Sequence, residues 1–277
     1  MITEQETQCI GLELFLNGRG GDVGKRIARM THASTFWSAT GRASQALEVY
    51  LLGLVDFDSA LYLQQRLVYD IAGRDDRLAG LLVCEHPPIV TVGREGSSAH
   101  LLVQSDELLA RQMDVRWLNR GGGCLVHAPG QLAVYPIVPL DRLGFGLTGY
   151  RRRLEQAVIG MCGDLHVEAF RLDDQPGVAC RCGQFAFLGA AVKSWVSYHG
   201  MFVNVCPDMT LMRMAQSKAP ASRITSLAAQ RMRATSMHAV RASLVRHLAT
   251  QLGYERFHLY TGHPLLRRTK RRIHAYA

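Results

Sequence analysis

Long apolar stretches are absent from this sequence of 277 residues, although 48% of its residues are hydrophobic. Its apolar runs, such as residues 80–84, have the length of a β-strand, whereas a membrane-spanning helix needs roughly 18 to 20 apolar residues. The first residues include Glu4, Glu6 and Glu13, and they lack the basic start and apolar core of a secretory signal. These absences exclude a membrane-spanning protein and predict a cytoplasmic location without a membrane partner.

Cysteine is sparse and follows no framework pattern. The 7 cysteines are odd in number and irregularly spaced, so we expect reduced thiols rather than disulfides. Cys180 and Cys182 form a C-x-C pair, but no second Cys or His pair lies at the spacing of a zinc finger. The sequence therefore predicts no metal site.

Charge and length predict one basic globular domain. The net charge is +9, which favours acidic partners. The basic run 267–272 has neither a nucleic-acid-binding motif nor interleaved aromatic residues, so we expect a solvated tail and no nucleic-acid partner. The predicted organisation is an N-terminal extension over 1–46, a domain over 47–255 and a basic C-terminal tail over 256–277.

Apolar periodicity predicts an α+β fold. Asp56 can cap an amphipathic helix that ends near Gly73, and further helical patterns cover 150–163 and 237–252. Strands predicted between 177 and 206 follow one another without helices, so the sheet must be mixed and partly antiparallel, with helices flanking it. Two earlier runs, 80–84 and 89–92, are predicted to be neighbouring strands.

The segment 120–136 carries the strongest chemical signal. Three glycines follow Arg120, which can bind a carbonyl or carboxylate, and His127 returns a polar group beside them. This arrangement suits a ligand cradle, because glycines allow close backbone approach and leave N–H groups available. A tight turn between two strands is the alternative, and composition alone favours it.

Motifs over roughly 55–230 resemble the LipB family of octanoyltransferases. They are Glu85-His86-Pro87-Pro88, Thr91-Val92-Gly93, Arg120-Gly121-Gly122, His127, Pro129-Gly130-Gln131, Tyr135-Pro136, Leu188-Gly189, Trp195-Val196-Ser197-Tyr198-His199-Gly200, Asn204-Val205, Pro207-Asp208 and Thr225-Ser226-Leu227. The resemblance implies a biotin/lipoate protein ligase-like catalytic domain. It also implies transfer of an octanoyl group from octanoyl-acyl carrier protein to a lysine of lipoyl domains, in 2-oxoacid dehydrogenases and in the glycine cleavage H protein.

The resemblance implies no cofactor, because the donor is already a thioester. It also carries over a set of substrate-binding residues, namely Arg120, Gly121, Gly122, Gly123, Cys124, Leu125, Val126, His127, Phe187, Leu188, Gly189, His199, Gly200 and Met201. An ATP-using lipoate ligase is disfavoured, because the sequence keeps the transferase's His-Gly and Pro-Gly-Gln marks.

Two positions depart from the family pattern. Residues 209–224 contain no cysteine, and the family's nucleophile falls on Ser217 or Lys218, depending on the direction of counting. Gln184 stands where the family has a lysine, so a serine nucleophile would need another base. Cys124 is a candidate substitute nucleophile, and Cys206 a weaker one. The alternative hypothesis is a catalytically silent protein that binds an acyl chain or a carrier or lipoyl domain without turnover.

Overall fold

The computed structural model describes residues 46–173, 175–216, 223–230 and 235–266, which contain a large and a small β-sheet. The strands are β1 (Ala46–Leu54), β2 (Ala79–Glu85), β3 (Ile89–Val92), β4 (Asp114–Trp117), β5 (Cys124–His127), β6 (Gln131–Ile137), β7 (Phe170–Arg171), β8 (Gly177–Cys180), β9 (Gly183–Lys193), β10 (Val196–Asn204) and β11 (Arg256–Thr261). The helices are α1 (Phe57–Ala72), α2 (Ser105–Ala110), α3 (Leu147–Asp164), α4 (Met209–Met212) and α5 (Met237–Leu252).

The large sheet is mixed, as the sequence predicts. Its strand order is β11-β1-β2-β6-β10-β9-β8-β7. Strand β1 is parallel to both β2 and β11, and the remaining pairs are antiparallel. Strands β8, β9 and β10 can be antiparallel neighbours because short connections join them. The α+β prediction with a partly antiparallel sheet is therefore confirmed.

The small sheet has the order β4-β3-β5, with β3 parallel to β4 and antiparallel to β5. The prediction that 80–84 and 89–92 are neighbouring strands is wrong, because β2 belongs to the large sheet and β3 to the small one. Pro87 and Pro88 separate them. Proline supplies no backbone N–H for a strand ladder, so the chain leaves one sheet here and enters the other.

Helix α1 forms where the cap and the periodicity predict it. The Asp56 side chain accepts a hydrogen bond from the Ser59 N–H at 2.8 Å, and Gly73 caps the other end of the helix. Its buried face contains Phe57, Ala60, Leu63, Gln64, Leu67, Val68 and Ile71. Gln64 is the one polar residue in that set, and it becomes important below.

The two faces of the large sheet carry different layers. On one face, Leu154 and Val158 of α3 and Leu244 and Leu248 of α5 share an apolar core with sheet residues such as Leu81. Burial of this apolar surface supplies the main driving force for docking the two helices.

Helix α1 and the small sheet cover the opposite face of the large sheet. Phe57 of α1 lies 5.7 Å from the ring of His127 in β5, and that ring lies 4.5 Å from Phe202 in β10 (centroid distances). Side chains alternate along a strand, so Phe202 points away from the face that α3 and α5 cover. His127, one of the predicted site residues, lies in this second layer.

Residues 256–261, which the sequence analysis assigned to the tail, form edge strand β11 beside β1. The sequence analysis missed this strand because polar residues flank Phe257 and no apolar run is present. Only one side of the strand packs against the core. The basic run 267–272 and residues 1–45 lie outside the described residues. Within the described part of the chain, no helix is both long and apolar enough to cross a bilayer.

Candidate active site

The glycine-rich loop over 120–123 is hydrogen-bonded to the segment that follows β3. Backbone N–H groups of Gly93, Arg94 and Glu95 donate to carbonyl groups of Gly123, Arg120 and Gly122, at 3.0–3.1 Å. These three hydrogen bonds fix the loop on the small sheet. The loop is thus a defined structural element and not a simple turn between β4 and β5.

Arg120 holds this loop from the inside. Its side chain is fully buried, and Nη1 donates to the Gly121 carbonyl at 2.9 Å, whereas Nη2 donates to the Gly123 carbonyl at 3.0 Å. Nη2 also reaches the carbonyl and the hydroxyl of Thr91, at 3.0 and 2.8 Å. Burial lowers the pKa of Arg120 to about 10, so the guanidinium remains charged at neutral pH. Nη1 and Nη2 thus donate to the protein, whereas Nε has no hydrogen-bond partner among the described residues, and a ligand contact through this side chain remains a prediction.

The loop meets the large sheet through close backbone contacts. The Gly121 N–H donates to the Ala190 carbonyl at 3.0 Å, and the Gly122 N–H donates to the Glu95 carboxylate at 3.1 Å. A Cβ at Gly189 would lie only 2.7 Å from the Gly121 carbonyl oxygen, so glycine permits this approach. Two of the three loop N–H groups expected to face a ligand are thus used within the protein.

Strands β9 and β10 complete the convergence. Gly189 pairs with Gly200 and Ala190 with His199 in the antiparallel ladder. The three predicted segments, 120–127, 187–189 and 199–201, therefore lie next to one another, although they are far apart in sequence. The backbone of all three meets at the contact between Gly121 and Ala190.

Strand alternation divides the predicted binding side chains. Leu188 and Met201 belong to the core with α3 and α5, on the far face of the large sheet. Cys124 and Val126 belong to a separate apolar cluster with Leu108 and others, on the far face of the small sheet. The remaining predicted side chains, Arg120, Leu125, His127, Phe187 and His199, stay outside both cores.

His127 is the centre of a directional hydrogen-bond chain. Gln131 Oε1 can only accept, so His127 Nδ1, 2.7 Å away, carries the proton and donates to it. The unprotonated His127 Nε2 then accepts from the Thr91 hydroxyl at 2.7 Å, and this hydroxyl itself accepts from Arg120. Gln131 Nε2 in turn donates to Asn204 Oδ1 at 2.9 Å. This chain assigns His127 to the neutral Nδ1–H tautomer.

The chain continues to the strand that carries Gln184. Asn204 Nδ2 donates to the Thr225 carbonyl at 3.1 Å, and the Thr225 N–H donates to the Gln184 carbonyl at 2.9 Å. The Gln184 N–H donates to the Arg223 carbonyl at 2.8 Å, and its buried side-chain amide donates to the Ala186 carbonyl at 3.1 Å. The Arg120 loop and Gln184 are thus joined by consecutive hydrogen bonds through the interior.

His86, which the sequence motif contains but the predicted site omits, lies beside His127. The Val55 carbonyl can only accept, so His86 Nδ1 donates to it at 2.8 Å, and Nε2 accepts from the Tyr135 hydroxyl at 2.6 Å. The two histidine rings are 6.1 Å apart. His86 therefore joins the loop after β1 to the sheet and has no nitrogen left for a ligand.

Three histidines are buried in this layer, and burial lowers the pKa of each. The pKa of His86 falls to about 4 and that of His199 to about 3, and burial together with neighbouring positive groups places that of His127 well below its usual value. All three are neutral at pH 7. They act as hydrogen-bonding groups there and not as cations.

Acidification is expected to destabilise the domain between about pH 6.5 and pH 4. An unfolded chain protonates its histidines near pH 6.5, whereas the folded protein resists until about pH 4, so the unfolded state binds more protons in this window. The free energy of unfolding should fall by up to ~1.4 kcal/mol per pH unit for each histidine. Urea unfolding at about pH 7.5 and about pH 5 measures this.

Protonation of carboxylates does not account for this fall in the free energy of unfolding. The pKa values of Asp76 and Asp164 are lowered by hydrogen bonds, from Arg74 and from Ser243 and His247 respectively, so they act only below about pH 4. Equal unfolding free energies at the two pH values would contradict the assignment of three neutral buried histidines.

The candidate substitute nucleophiles occupy different environments. Cys124 is buried, its thiol donates to the Ser97 carbonyl at 3.3 Å, and burial raises its pKa. Cys206 is exposed as a residue, but partial desolvation of its thiol and the charge of Glu85 raise its pKa. A raised pKa lowers the thiolate fraction that attacks an acyl group. Ser217 and Lys218 lie outside the described residues.

Sequence reasoning missed three residues of this layer, namely Thr91, Asn204 and Gln64. Thr91 and Asn204 stand in the recognised motifs, but their role needs the hydrogen-bond chain to be seen. Gln64 left one signal, because it is a polar residue at an apolar position of the α1 pattern. Within the described ranges, no three His, Cys, Asp or Glu side chains are grouped to hold a metal ion.

Solved structures define the class of this fold. The structure of lipoate-protein ligase A bound with ATP superimposes with a TM-score of 0.62 at 18% identity, covering 79% of this chain and 90% of that one. At this identity the likeness shows the fold alone. It confirms the predicted lipoate ligase-like domain.

Sequence comparisons identify the family. The model of the lipoyl protein ligase A/B catalytic domain matches residues 56–249. The octanoyltransferase of Syntrophotalea carbinolica is 36% identical over 207 residues, which cover 74% of this chain and 94% of that protein. The octanoyltransferase of Geotalea uraniireducens is 38% identical over 160 residues, covering 57% and 71%. This chain belongs to the lipoyl protein ligase A/B family, in the LipB branch of octanoyltransferases.

Proposed function

We propose that this protein transfers an octanoyl group from octanoyl-acyl carrier protein to a lysine of lipoyl domains. In the net reaction the lysine amine attacks the thioester carbonyl, an amide bond forms, and the carrier thiol leaves with the proton that the amine loses. No cofactor is required, because the thioester is already activated. Proposed acceptors are the lipoyl domains of 2-oxoacid dehydrogenases and the glycine cleavage H protein, and the proposed location is the cytoplasm.

The contact between Gly121 and Ala190 is the observation that carries this proposal. It brings the glycine loop, Gly189 and the kinked strand at His199 to one place, beside apolar residues such as Phe187. Gln184 lies five residues before Gly189 on β9, about 16 Å away at ~3.3 Å per residue. We propose that the acyl chain runs along β9 with its methyl end near Gly189 and its reacting end directed towards Gln184, and that the Gln184 side chain and the reacting residue cover the rest of this distance.

The reacting group is proposed to lie at one of the positions that match the family. Ser217 or Lys218 stands at the family's nucleophile position and Gln184 at its lysine position. Cys124 is a less favourable substitute, because its thiol points into an apolar cluster away from His127. A carboxamide cannot take up a proton, so Gln184 is proposed to orient the substrate by hydrogen bonding and not to act as a base.

Intact-mass spectrometry tests the function. With octanoyl-acyl carrier protein, the full chain and a lipoyl domain, we expect the lipoyl domain to gain one octanoyl group. A lipoyl domain whose acceptor lysine is changed to arginine is the control and should gain none. Binding of the carrier without any transfer would reject the enzyme and support the silent alternative.

The same experiment reports the reacting residue. A hydroxylamine-labile octanoyl adduct on the enzyme would point to Cys124 or Cys206, and a more stable ester to Ser217. Transfer without an adduct would indicate direct attack by the lysine on the carrier thioester. Ser217→Ala, Cys124→Ala and Cys206→Ala variants then identify the residue involved.

A further inference from the structure

A kink in the middle of β10 needs an external partner. Of the described non-glycine residues with positive φ, His199 (+53°) is the buried one, and it is followed by Gly200 at +159°. A left-handed residue inside a strand costs energy and turns its N–H away from the neighbouring ladder. The His199 N–H instead donates to Gln64 Oε1 at 2.7 Å, from helix α1.

The same two residues carry unpartnered nitrogen atoms. Gln64 is fully buried and His199 is 2% exposed, yet Gln64 Nε2 and His199 Nδ1 have no hydrogen-bond partner among the described residues. Folded proteins rarely leave a buried polar atom unpaired, because its desolvation penalty is then uncompensated, so two such atoms on touching residues point to a bound group. Gln64 Nε2 donates only, so that group must accept a hydrogen bond, as an oxygen atom does.

The location gives this oxygen a role in chain length. His199 pairs with Ala190, six residues beyond Gln184 on β9, so the two nitrogens lie where the methyl end of the acyl chain is proposed to stop. A hydrogen-bonded oxygen held by Gln64 and His199 at that place would oppose the binding of a longer acyl chain. An extra methylene would displace a hydrogen-bonded oxygen without replacing its bonds, which weakens binding.

We propose that Gln64 and His199 hold one oxygen atom at the closed end of the acyl site, and that this polar floor limits the length of the acyl chain. The oxygen belongs to a water molecule when octanoyl is bound, and a hydroxyl group at the end of an acyl chain can take its place. Gln64 is thus a specificity-determining residue that also fixes the His199 kink. The inference rests on the proposed function for its acyl ligand.

Calorimetric titration with free fatty acids tests the floor without requiring turnover. We expect the wild-type protein to bind octanoate about tenfold more tightly than decanoate, and Gln64→Leu to reduce or reverse this ratio. Gln65→Leu is the matched control, because it makes the same change at the exposed neighbouring position. An unchanged ratio in Gln64→Leu would overturn the proposal.

A wild-type measurement covers the case in which Gln64→Leu does not fold. The probe 8-hydroxyoctanoate should bind at least as tightly as octanoate, because its hydroxyl group replaces the oxygen and its hydrogen bonds. If the closed end of the acyl site were apolar instead, the hydroxyl group would lack a hydrogen-bond partner and binding would weaken about tenfold or more. That result would overturn the proposal.

Transfer kinetics separate this inference from the proposed function. If octanoyl transfer occurs, Gln64→Leu should raise KM for octanoyl carrier protein more than it lowers kcat, and it should favour decanoyl carrier protein relative to wild type. If transfer fails but fatty acids bind with the expected ratio, the proposed reaction is wrong and the polar floor stands.

Discussion

Gly93→Ala is expected to abolish octanoate binding and to destabilise the domain by ~1–3 kcal/mol. A Cβ at Gly93 would lie 2.3 Å from the Gly122 carbonyl oxygen and 2.8 Å from Arg120 Nη1. Neither neighbour can move away easily, because the Gly122 carbonyl is held by the Glu95 N–H and Arg120 is fixed by Thr91. The loop must therefore shift, and its contact with β9 is lost. Urea unfolding and octanoate titration measure the two effects.

Gly149→Ala is the matched control for this prediction. Gly149 lies in α3, and a Cβ there would meet nothing within 4 Å. Alanine in a helix is favoured over glycine, so this variant should keep its affinity and gain ~0.4–1 kcal/mol. If both variants retain octanoate affinity, the seating of the loop is not what shapes the site.

Arg120→Lys is expected to cost roughly 2–6 kcal/mol, because at least two buried acceptors lose their partner. Lysine keeps the positive charge but lacks the planar fork that reaches Thr91, Gly121 and Gly123 together. The hydrogen-bond chain to His127 loses its first donor as well. We expect a lower unfolding midpoint and octanoate binding weakened more than tenfold.

The exposed Arg152 provides the comparison for this charge-conserving change. Arg152→Lys should alter stability by no more than about 0.5 kcal/mol. A further measurement distinguishes geometry from charge, since ring ¹⁵N shifts of His127 report its tautomer. Retention of the Nδ1–H signature and of binding in Arg120→Lys would show that the fork is dispensable.

Sequence patterns correctly predicted those helices that are defined by interactions between residues close together in the chain. The cap at Asp56 and the three-four spacing suffice for α1, because both act within a few residues. Motif resemblance located the three converging segments, although it did not say which atoms meet. The mixed sheet followed from the absence of helices between 177 and 206, since short connections force antiparallel pairing.

Contacts made across the fold could not be read from the sequence. Strands β2 and β3 look alike, and only tertiary packing sends them to different sheets. Arg120 looked like a ligand-binding group, but its Nη1 and Nη2 donate to carbonyls of its own loop and to Thr91. Gln64 and His199 are 135 positions apart, so nothing local links them. By contrast, the orientation of Cys124 could have been predicted. It lies three residues before His127 on the same strand, so alternation places the two side chains on opposite faces and turns Cys124 away from the site.

The pairing of β1 with β11 has a consequence for biogenesis. Glu48 and His258, which face each other across these strands, are separated by 210 positions, so nearly the whole domain must leave the ribosome before β11 can dock. Until then β1 presents an open backbone edge to other nascent chains. Strand β11 therefore covers this edge only when synthesis of the domain is nearly complete, and we expect truncation before Arg256 to leave β1 exposed and the polypeptide prone to self-association.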